Sequence, residues 1–354
     1  MSRFFSSKFD KLSPYTPGEQ PQNMKYVKLN TNESPFNPSP KALALAQDAT
    51  KNLQLYSDPM CGKLMDAIEK VYDVSRDEVM FVNGSDEALN FCVMAYCDNM
   101  TGAAAADISY GFYPVIMSLN NIDYKTIPLK EDFTIDINDY KNLGRTIFIA
   151  NPNAPTGIAL EPEEIEEVVK SNSDNIVVVD EAYVDFGAKS CLPLIKKYDN
   201  VIVVQTFSKS RSLAGGRLGF VAANPKIIQD LNTIRYSTNP YNINSVTMAA
   251  GVGALEDVEY FKSNCKIIAE NREYLTKELK ALGFDVLPSK ANFVFAQSNA
   301  VSGLELYQKL KERGVLVRHF ESGRIKNFNR ITVGSRQQLD VLLAKIREIL
   351  EEKK

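Results

Sequence analysis

The sequence predicts an α/β fold, with a large and mostly parallel sheet layered by helices and followed by a smaller α+β region. Three observations predict it. Short, continuously apolar, β-branched runs recur through the middle of the chain, helical patterns separate them, and the character of the pattern changes after residue 255. Continuous runs of this kind belong to strands buried on both faces, and interleaved helices supply the crossovers that parallel strands need.

In order along the chain, the first 40 residues are rich in Pro, Asn and Ser and read as an extended arm with turns. Residues 41–255 form the expected large domain. Its clearest strands are TIFIA (146–150), IVVVD (176–180) and VIVVQT (201–206), with helical patterns in PEEIEEVVKSN and around CLPLIKKY between them. Residues 256–354 form the expected small domain. It opens with the amphipathic stretch VEYFKSNCKIIAENREYLTKELKALG, continues through short strands near ANFVFA, VLVR and RITVG, and closes with the helix QQLDVLLAKIREILEE.

Composition narrows the chemistry. Of 354 residues, 44% are hydrophobic and 24% charged, as in an ordinary globular protein, and the net charge of −3 offers no basic field for nucleic acid or an anionic membrane. Small molecules are therefore the expected partners. The N-terminal stretch has no continuous apolar segment and no run reaches membrane-spanning length, so the expected compartment is the cytoplasm. Five scattered cysteines include no C-x-x-C pair, and His319 is the only histidine. Neither a zinc site nor a disulfide framework is indicated, a histidine-based centre would have to rest on one residue, and no metal is expected.

Ligands of open α/β sheets bind beyond the carboxyl ends of the strands. Asn151 and the loop NPNAPTG follow the first of the three strands, Asp180 in DEAY ends the second, and Ser208 and Lys209 follow the third. Asp180 reads either as a helix N-cap or as a buried acid awaiting a cation or donor, with Tyr183 one helical turn on. In NGSDEALNF, Gly84, Ser85 and Asp86 precede an apolar helical pattern; they read as an ordinary helix start or as a phosphate cradle. In TFSKSRSLAGGRLGF, Thr206 and Ser208 supply hydroxyls, Gly215-Gly216 allows a tight turn, and Arg217 supplies a planar cation. There Lys209 reads as a surface cation or as a desolvated amine for Schiff-base chemistry. A lysine, an aspartate, a tyrosine and a phosphate-binding helix start together match the needs of a pyridoxal phosphate site.

With these residues in view, the chain resembles the fold-type-I, pyridoxal-phosphate-dependent aminotransferases, and among them the members that act on histidinol phosphate. LSPYTPGEQP, KLNTNESPFNPSP, YSDPMCGKL, VNGSDEAL, SYGFYPV, NPNAPTG, VVVDEAYVDF, TFSKSRSLAGGRLGF, NPYNINS, ANFVF and RITVGS stand in the family's order over essentially the whole chain. The resemblance implies that Lys209 forms the internal aldimine with pyridoxal 5'-phosphate and moves the proton between Cα and C4′. It implies that Asp180 pairs the pyridine nitrogen, that Tyr183 bonds the ring's 3-oxygen and that Tyr110 stacks on the ring. The cofactor phosphate would be held by Gly84, Ser85, Asp86, Thr206, Ser208 and Arg217, and by Tyr56 of a second copy, which implies a homodimer with shared sites.

For substrate, the resemblance implies Arg330, Arg318, Tyr15 and Asn32. It implies transamination between a phosphorylated amino alcohol and a 2-oxo acid, namely L-histidinol phosphate and 2-oxoglutarate, within histidine biosynthesis. Decarboxylation of threonine phosphate and transamination of aromatic amino acids are alternatives on the same scaffold; a non-enzymatic phosphate-binding protein is a third, without a P-loop to support it. One departure stands out. Many relatives have Asn directly before Pro-Thr-Gly, where its amide contacts the 3-oxygen, whereas this chain has Ala154 preceded by Asn153. Either Asn153 reaches that oxygen or Tyr183 alone does. His319, beside Arg318, is expected to be structural.

Overall fold

The computed structural model describes every residue except Met1, Lys11, Ser322 and Lys354. Seven strands form the large sheet in the order Val79–Val82, Gly219–Ala223, Val201–Thr206, Val177–Asp180, Thr146–Ala150, Ala103–Ala106, Tyr124–Ile127. Gly219–Ala223 runs antiparallel to both of its neighbours, and all the other pairings are parallel. The expected mostly parallel sheet is thus present, with TIFIA and VIVVQT as strands over their full length and the third beginning at Val177.

Both faces of the sheet are buried, which is why its strands read as unbroken apolar runs. Alternate residues feed two cores: Ile147, Ile149, Val177, Val179, Val201 and Val203 pack into one, and Phe148, Val178, Ile202 and Val204 into the other. The helix Pro162–Ser171 covers the first face, started by a capping box between Glu161 and Glu164 and by Pro at its first position. The helical pattern expected around CLPLIKKY is shorter than read. It is a five-residue 3-10 stretch, Leu192–Lys196, with Pro193 in its first turn, and it closes the crossover between two adjacent strands.

A four-stranded antiparallel sheet forms in the C-terminal third, ordered Arg318–His319, Phe328–Thr332, Phe293–Ser298, Phe284–Val286. The 24-residue helix Val258–Ala281 and the helix Arg336–Glu351 bury their apolar stripes against it, the latter started by a Ser335/Gln338 capping box. The N-terminal stretch is not free of this region. Val27–Lys28 pairs in parallel with Val315–Leu316, and Leu29 is buried in the same core. Pro40–Ala49 packs along Ser245–Glu256, close enough that a Cβ on Gly253 would come within 2.6 Å of the Ala42 backbone. Among the described residues no helix is long and apolar enough to cross a membrane.

Candidate active site

Pairing of Ala150 with Asp180 and of Asp180 with Val204 brings the ends of three parallel strands to one edge of the large sheet, the third running two residues further, to Thr206. A cavity of about 680 Å³ opens there. The loops after Val79–Val82 and Ala103–Ala106 reach the same edge and bring Ser85, Asp86 and Tyr110 to the cavity wall.

Asp180 lies at the floor, 5% exposed. Its Oδ2 accepts the Tyr113 hydroxyl at 3.0 Å and its Oδ1 accepts the Ala182 N–H at 3.2 Å. Burial raises the carboxyl to about 6, against the pull of the Tyr113 bond. The Ala182 bond shapes a tight turn rather than the expected helical one, since the following 3-10 stretch begins only at Val184; Tyr183 nonetheless lines the cavity. Tyr113 was not singled out in the sequence. Its signal there is a phenol inside an apolar helix start, FYPVIM, where a buried hydroxyl needs a partner.

Lys209 follows the third strand into the cavity, its Nζ 3.4 Å from the Thr31 carbonyl and 5.9 Å from the centre of the Tyr183 ring. Burial, with the Arg330 charge second, lowers its amine to about 8. Of the two readings of this lysine, the desolvated amine is the one the structure contains. At one end of the cavity Arg217 pairs with Asp86 at 3.1 Å and reaches Ser208 Oγ at 3.4 Å, while Thr206 Oγ1 donates to Ser208 Oγ at 2.9 Å. Asp86 also accepts the Tyr110 hydroxyl at 2.8 Å. The helix Ser85–Tyr96 starts here, and the first N–H groups of a helix have no acceptor within it. Gly84, at its N-cap with φ 82°, stands behind these groups; a Cβ there would fall 2.5 Å from the Arg217 guanidinium.

At the other end, Tyr15, Arg318 and Arg330 line the cavity. Arg330 Nη2 donates to the Asn30 carbonyl at 3.0 Å and its guanidinium lies over the rings of Phe293 and Phe320 at 5.4 and 5.9 Å. Arg318 donates to the Thr16 carbonyl at 3.4 Å. Among the described residues neither arginine has an acidic partner within ion-pair distance, and Arg330 Nε is buried without an acceptor. Tyr15 is packed edge-on to Tyr110 and Phe112.

Three expected residues stand apart from the wall. Gly84 acts from behind it. Asn153 is turned toward the loop after Ala103–Ala106, where its Oδ1 accepts Ser109 Oγ at 2.8 Å and its Nδ2 donates to Ile108 O, as well as to Thr156 Oγ1 in its own loop, and it is Ala154 that faces the cavity. Tyr56 is 85% exposed and stacks on Tyr241 at 4.7 Å, away from this chain's own cavity. Asn32, expected on the substrate, does line the cavity, but its carboxamide is spent on Tyr183 and Thr332. His319 stacks on Tyr307 rather than entering the site.

Fold and site together define a transaminase scaffold: a lysine amine and a buried carboxylate line one cavity with an arginine at a helix start and, among the described residues, two arginines without acidic partners. The chain belongs to the aminotransferase class I and II family, whose model matches residues 24–346. It is 48% identical over 353 residues to a histidinol-phosphate aminotransferase of Brachyspira hyodysenteriae, covering 99% of this chain and 100% of that one. To one of a Marinomonas species it is 46% identical at the same coverage. Among solved structures, the histidinol-phosphate aminotransferase of Sinorhizobium meliloti in complex with pyridoxal-5'-phosphate superposes with a TM-score of 0.86 at 24% identity, over 93% of this chain and 92% of that one. The enzyme of the same name from Clostridium acetobutylicum does so at 0.85 and 23%, over 92% and 99%. The protein is thus an aminotransferase with pyridoxal phosphate as its cofactor. The donor set fits that group, with the Ser85–Arg217 cradle suited to its phosphate, a carboxylate of raised pKa to its ring nitrogen, and an amine of lowered pKa in the same cavity.

Proposed function

We propose that the enzyme transfers the amino group of L-histidinol phosphate to 2-oxoglutarate, giving imidazole-acetol phosphate and glutamate, in histidine biosynthesis. The observation that carries this reading is the pair Arg318 and Arg330, two guanidinium groups that line one cavity and, among the described residues, have no acidic partners. A phosphate monoester dianion meets both, and planar bidentate donors suit it. The near full-length relatives that carry this activity in their names support the same substrate.

The assignment of roles is also ours. Pyridoxal phosphate, when bound, serves as an electron sink for the bond broken at the substrate Cα. Lys209 Nζ would carry the proton to and from the substrate Cα, which its lowered pKa favours, because a neutral amine is the base required. Asp180 would pair the cofactor's ring nitrogen, and Tyr113 holds Asp180. Tyr183 would donate to the 3-oxygen, and Tyr110 would pack against the ring. The backbone N–H groups of Ser85 and Asp86, with Thr206, Ser208 and Arg217, would hold the cofactor phosphate. Arg318, Arg330 and Tyr15 receive that of the substrate.

We further propose a cytoplasmic homodimer in which Tyr56 completes the phosphate cradle of a second copy. Its exposure, beside exposed Leu53, Leu55 and Met60, supports an apolar surface that needs covering. A division into an arm, a large domain and a small domain near residues 40 and 255 is part of the same proposal; the separate seven-stranded and four-stranded sheets support the boundary between the large and small domains.

A half-reaction screen tests the substrate. Holoenzyme mixed with histidinol phosphate, threonine phosphate, histidine or phenylalanine is followed by loss of the cofactor's visible band. Histidinol phosphate is expected to react at the lowest concentration. Carbon dioxide release from threonine phosphate, or preference for phenylalanine, overturns the proposal.

A further inference from the structure

Asn32 is an asparagine at φ 56°, in the left-handed region, and it is 1% exposed. A non-glycine residue persists in that conformation when its surroundings over-determine it. Here four hydrogen bonds do so. Its N–H donates to Thr332 Oγ1 at 2.9 Å, its carbonyl accepts Asn292 Nδ2 at 3.0 Å, and its Oδ1 accepts the Thr332 hydroxyl at 3.1 Å. Its Nδ2 donates to the Tyr183 hydroxyl at 3.0 Å.

The direction of these bonds is the point. With the Thr332 proton given to Oδ1, the amide end of the carboxamide faces Tyr183. The phenol oxygen then accepts from Asn32, and its own proton is left to point elsewhere. The nearest open space is the cavity that Tyr183 and Asn32 both line. Burial raises the Tyr183 phenol above its ordinary value, so the proton stays on at neutral pH. The charged groups acting on it are Arg330, Asp180 and Asp86, with Lys209 Nζ 5.9 Å from the ring. Meanwhile Ala154 presents no donor to this part of the cavity, and the Asn153 carboxamide is engaged by Ile108 and Ser109, in the loop after Ala103–Ala106, and by Thr156.

We infer that Asn32 is a positioning residue for the reaction: its amide occupies the Tyr183 hydroxyl from behind and aims that hydroxyl's proton at the 3-oxygen of the bound cofactor. The inference rests on the proposed role of Tyr183. It also has a structural corollary. Thr332, which orients Asn32, lies two residues from Arg330 on the strand Phe328–Thr332, so the strand that carries the substrate cation also sets the hydrogen bond at the cofactor.

A hydrogen bond donated to the 3-oxygen stabilises its anionic form and lowers the pH midpoint of the cofactor's visible absorbance; losing the bond raises it. The test is that midpoint in holoenzyme without substrate, measured for the wild-type enzyme, Asn32→Gly, Tyr183→Phe and the double variant. Glycine accepts the left-handed backbone and adds no charge. Asn32→Gly is expected to raise the midpoint by roughly one pH unit, the worth of one hydrogen bond to a charged group. In the Tyr183→Phe background the same change is expected to do nothing. Should Asn32→Gly fail to fold, Asn32→Asp keeps the acceptor for Thr332 while removing the donor, and its shift is expected to be larger with Tyr183 than with the Tyr183→Phe change. Equal shifts in both backgrounds, or none with Tyr183 present, overturn the role of Asn32 while leaving Tyr183 in place. No shift for Tyr183→Phe itself overturns the role of Tyr183, and this inference with it.

Discussion

The two ends of the cavity are built differently. The end that holds Asp180, Ser208 and Lys209 is made by strands of one sheet ending at one edge, and its groups are tied to backbone or to one another over 2.8–3.4 Å. The end that holds Tyr15, Arg318 and Arg330 is assembled from the N-terminal stretch and the four-stranded sheet, and its cations are steadied by carbonyls and ring faces. Groups shared by every turnover are fixed by a buried sheet. Groups that select a substrate sit on separate, replaceable pieces. Substitutions at the first end should therefore act on kcat and those at the second on KM.

The largest effect is expected from Lys209→Ala, with turnover falling about ten-thousandfold while noncovalent cofactor binding survives. Single-turnover absorbance and equilibrium dialysis check the two halves of that statement. Arg330→Ala comes next. It should raise KM for the phosphorylated substrate on the order of a hundredfold, the loss of a charge-assisted bidentate contact, with a smaller change in kcat. A fall in kcat alone would erase the contrast between the two ends.

Asp180→Asn should separate stability from activity. The folded carboxyl, raised from 3.8 to about 6, binds its proton more tightly than in the unfolded chain. Its favourable contribution is complete below pH 3.8 and is lost as pH rises through 6, leaving a cost of roughly 3 kcal/mol at neutral pH. The apo variant should therefore melt higher than the apo wild type at pH 7.5 and match it near pH 4, while turnover drops. Lys209 has the opposite profile. An amine lowered to about 8 gains neutral form as pH rises through 8, so the rate of cofactor attachment to apoenzyme should climb over that range and level off above it.

The smallest effect sharpens the second end. Glu19 accepts both Tyr307 and Lys311 from the helix Gly303–Glu312 and so ties down the stretch carrying Tyr15. Glu19→Gln should raise KM a few-fold with kcat unchanged, because a half-exposed pair contributes little.

The same contrast explains what could be read without coordinates. Asp180, Ser208 and Lys209 follow β-branched runs whose burial is written in their composition, so their common edge follows from parallel pairing alone. The strand Ala103–Ala106 was invisible, since four alanines carry no strand signal, and with it went the positional logic for Tyr110 and Tyr113. At the substrate end, Arg318 and Arg330 were found by motif order. What holds them, the Asn30 and Thr16 carbonyls, lies some 300 residues away in the chain, a distance across which local pattern says nothing. The role of Asn32 was hidden for the same reason: its partners are Tyr183, Asn292 and Thr332.

The Arg217–Asp86 pair has one further consequence. Asp86 keeps the guanidinium and, through Tyr110, a ring face in their working positions by acting as a resident anion. Cofactor uptake at this end then brings a phosphate to a cation that already has a carboxylate partner, so the attraction of Arg217 is partly offset by repulsion from Asp86. The salt dependence of cofactor binding should accordingly be shallow, and free inorganic phosphate should compete for the same cradle.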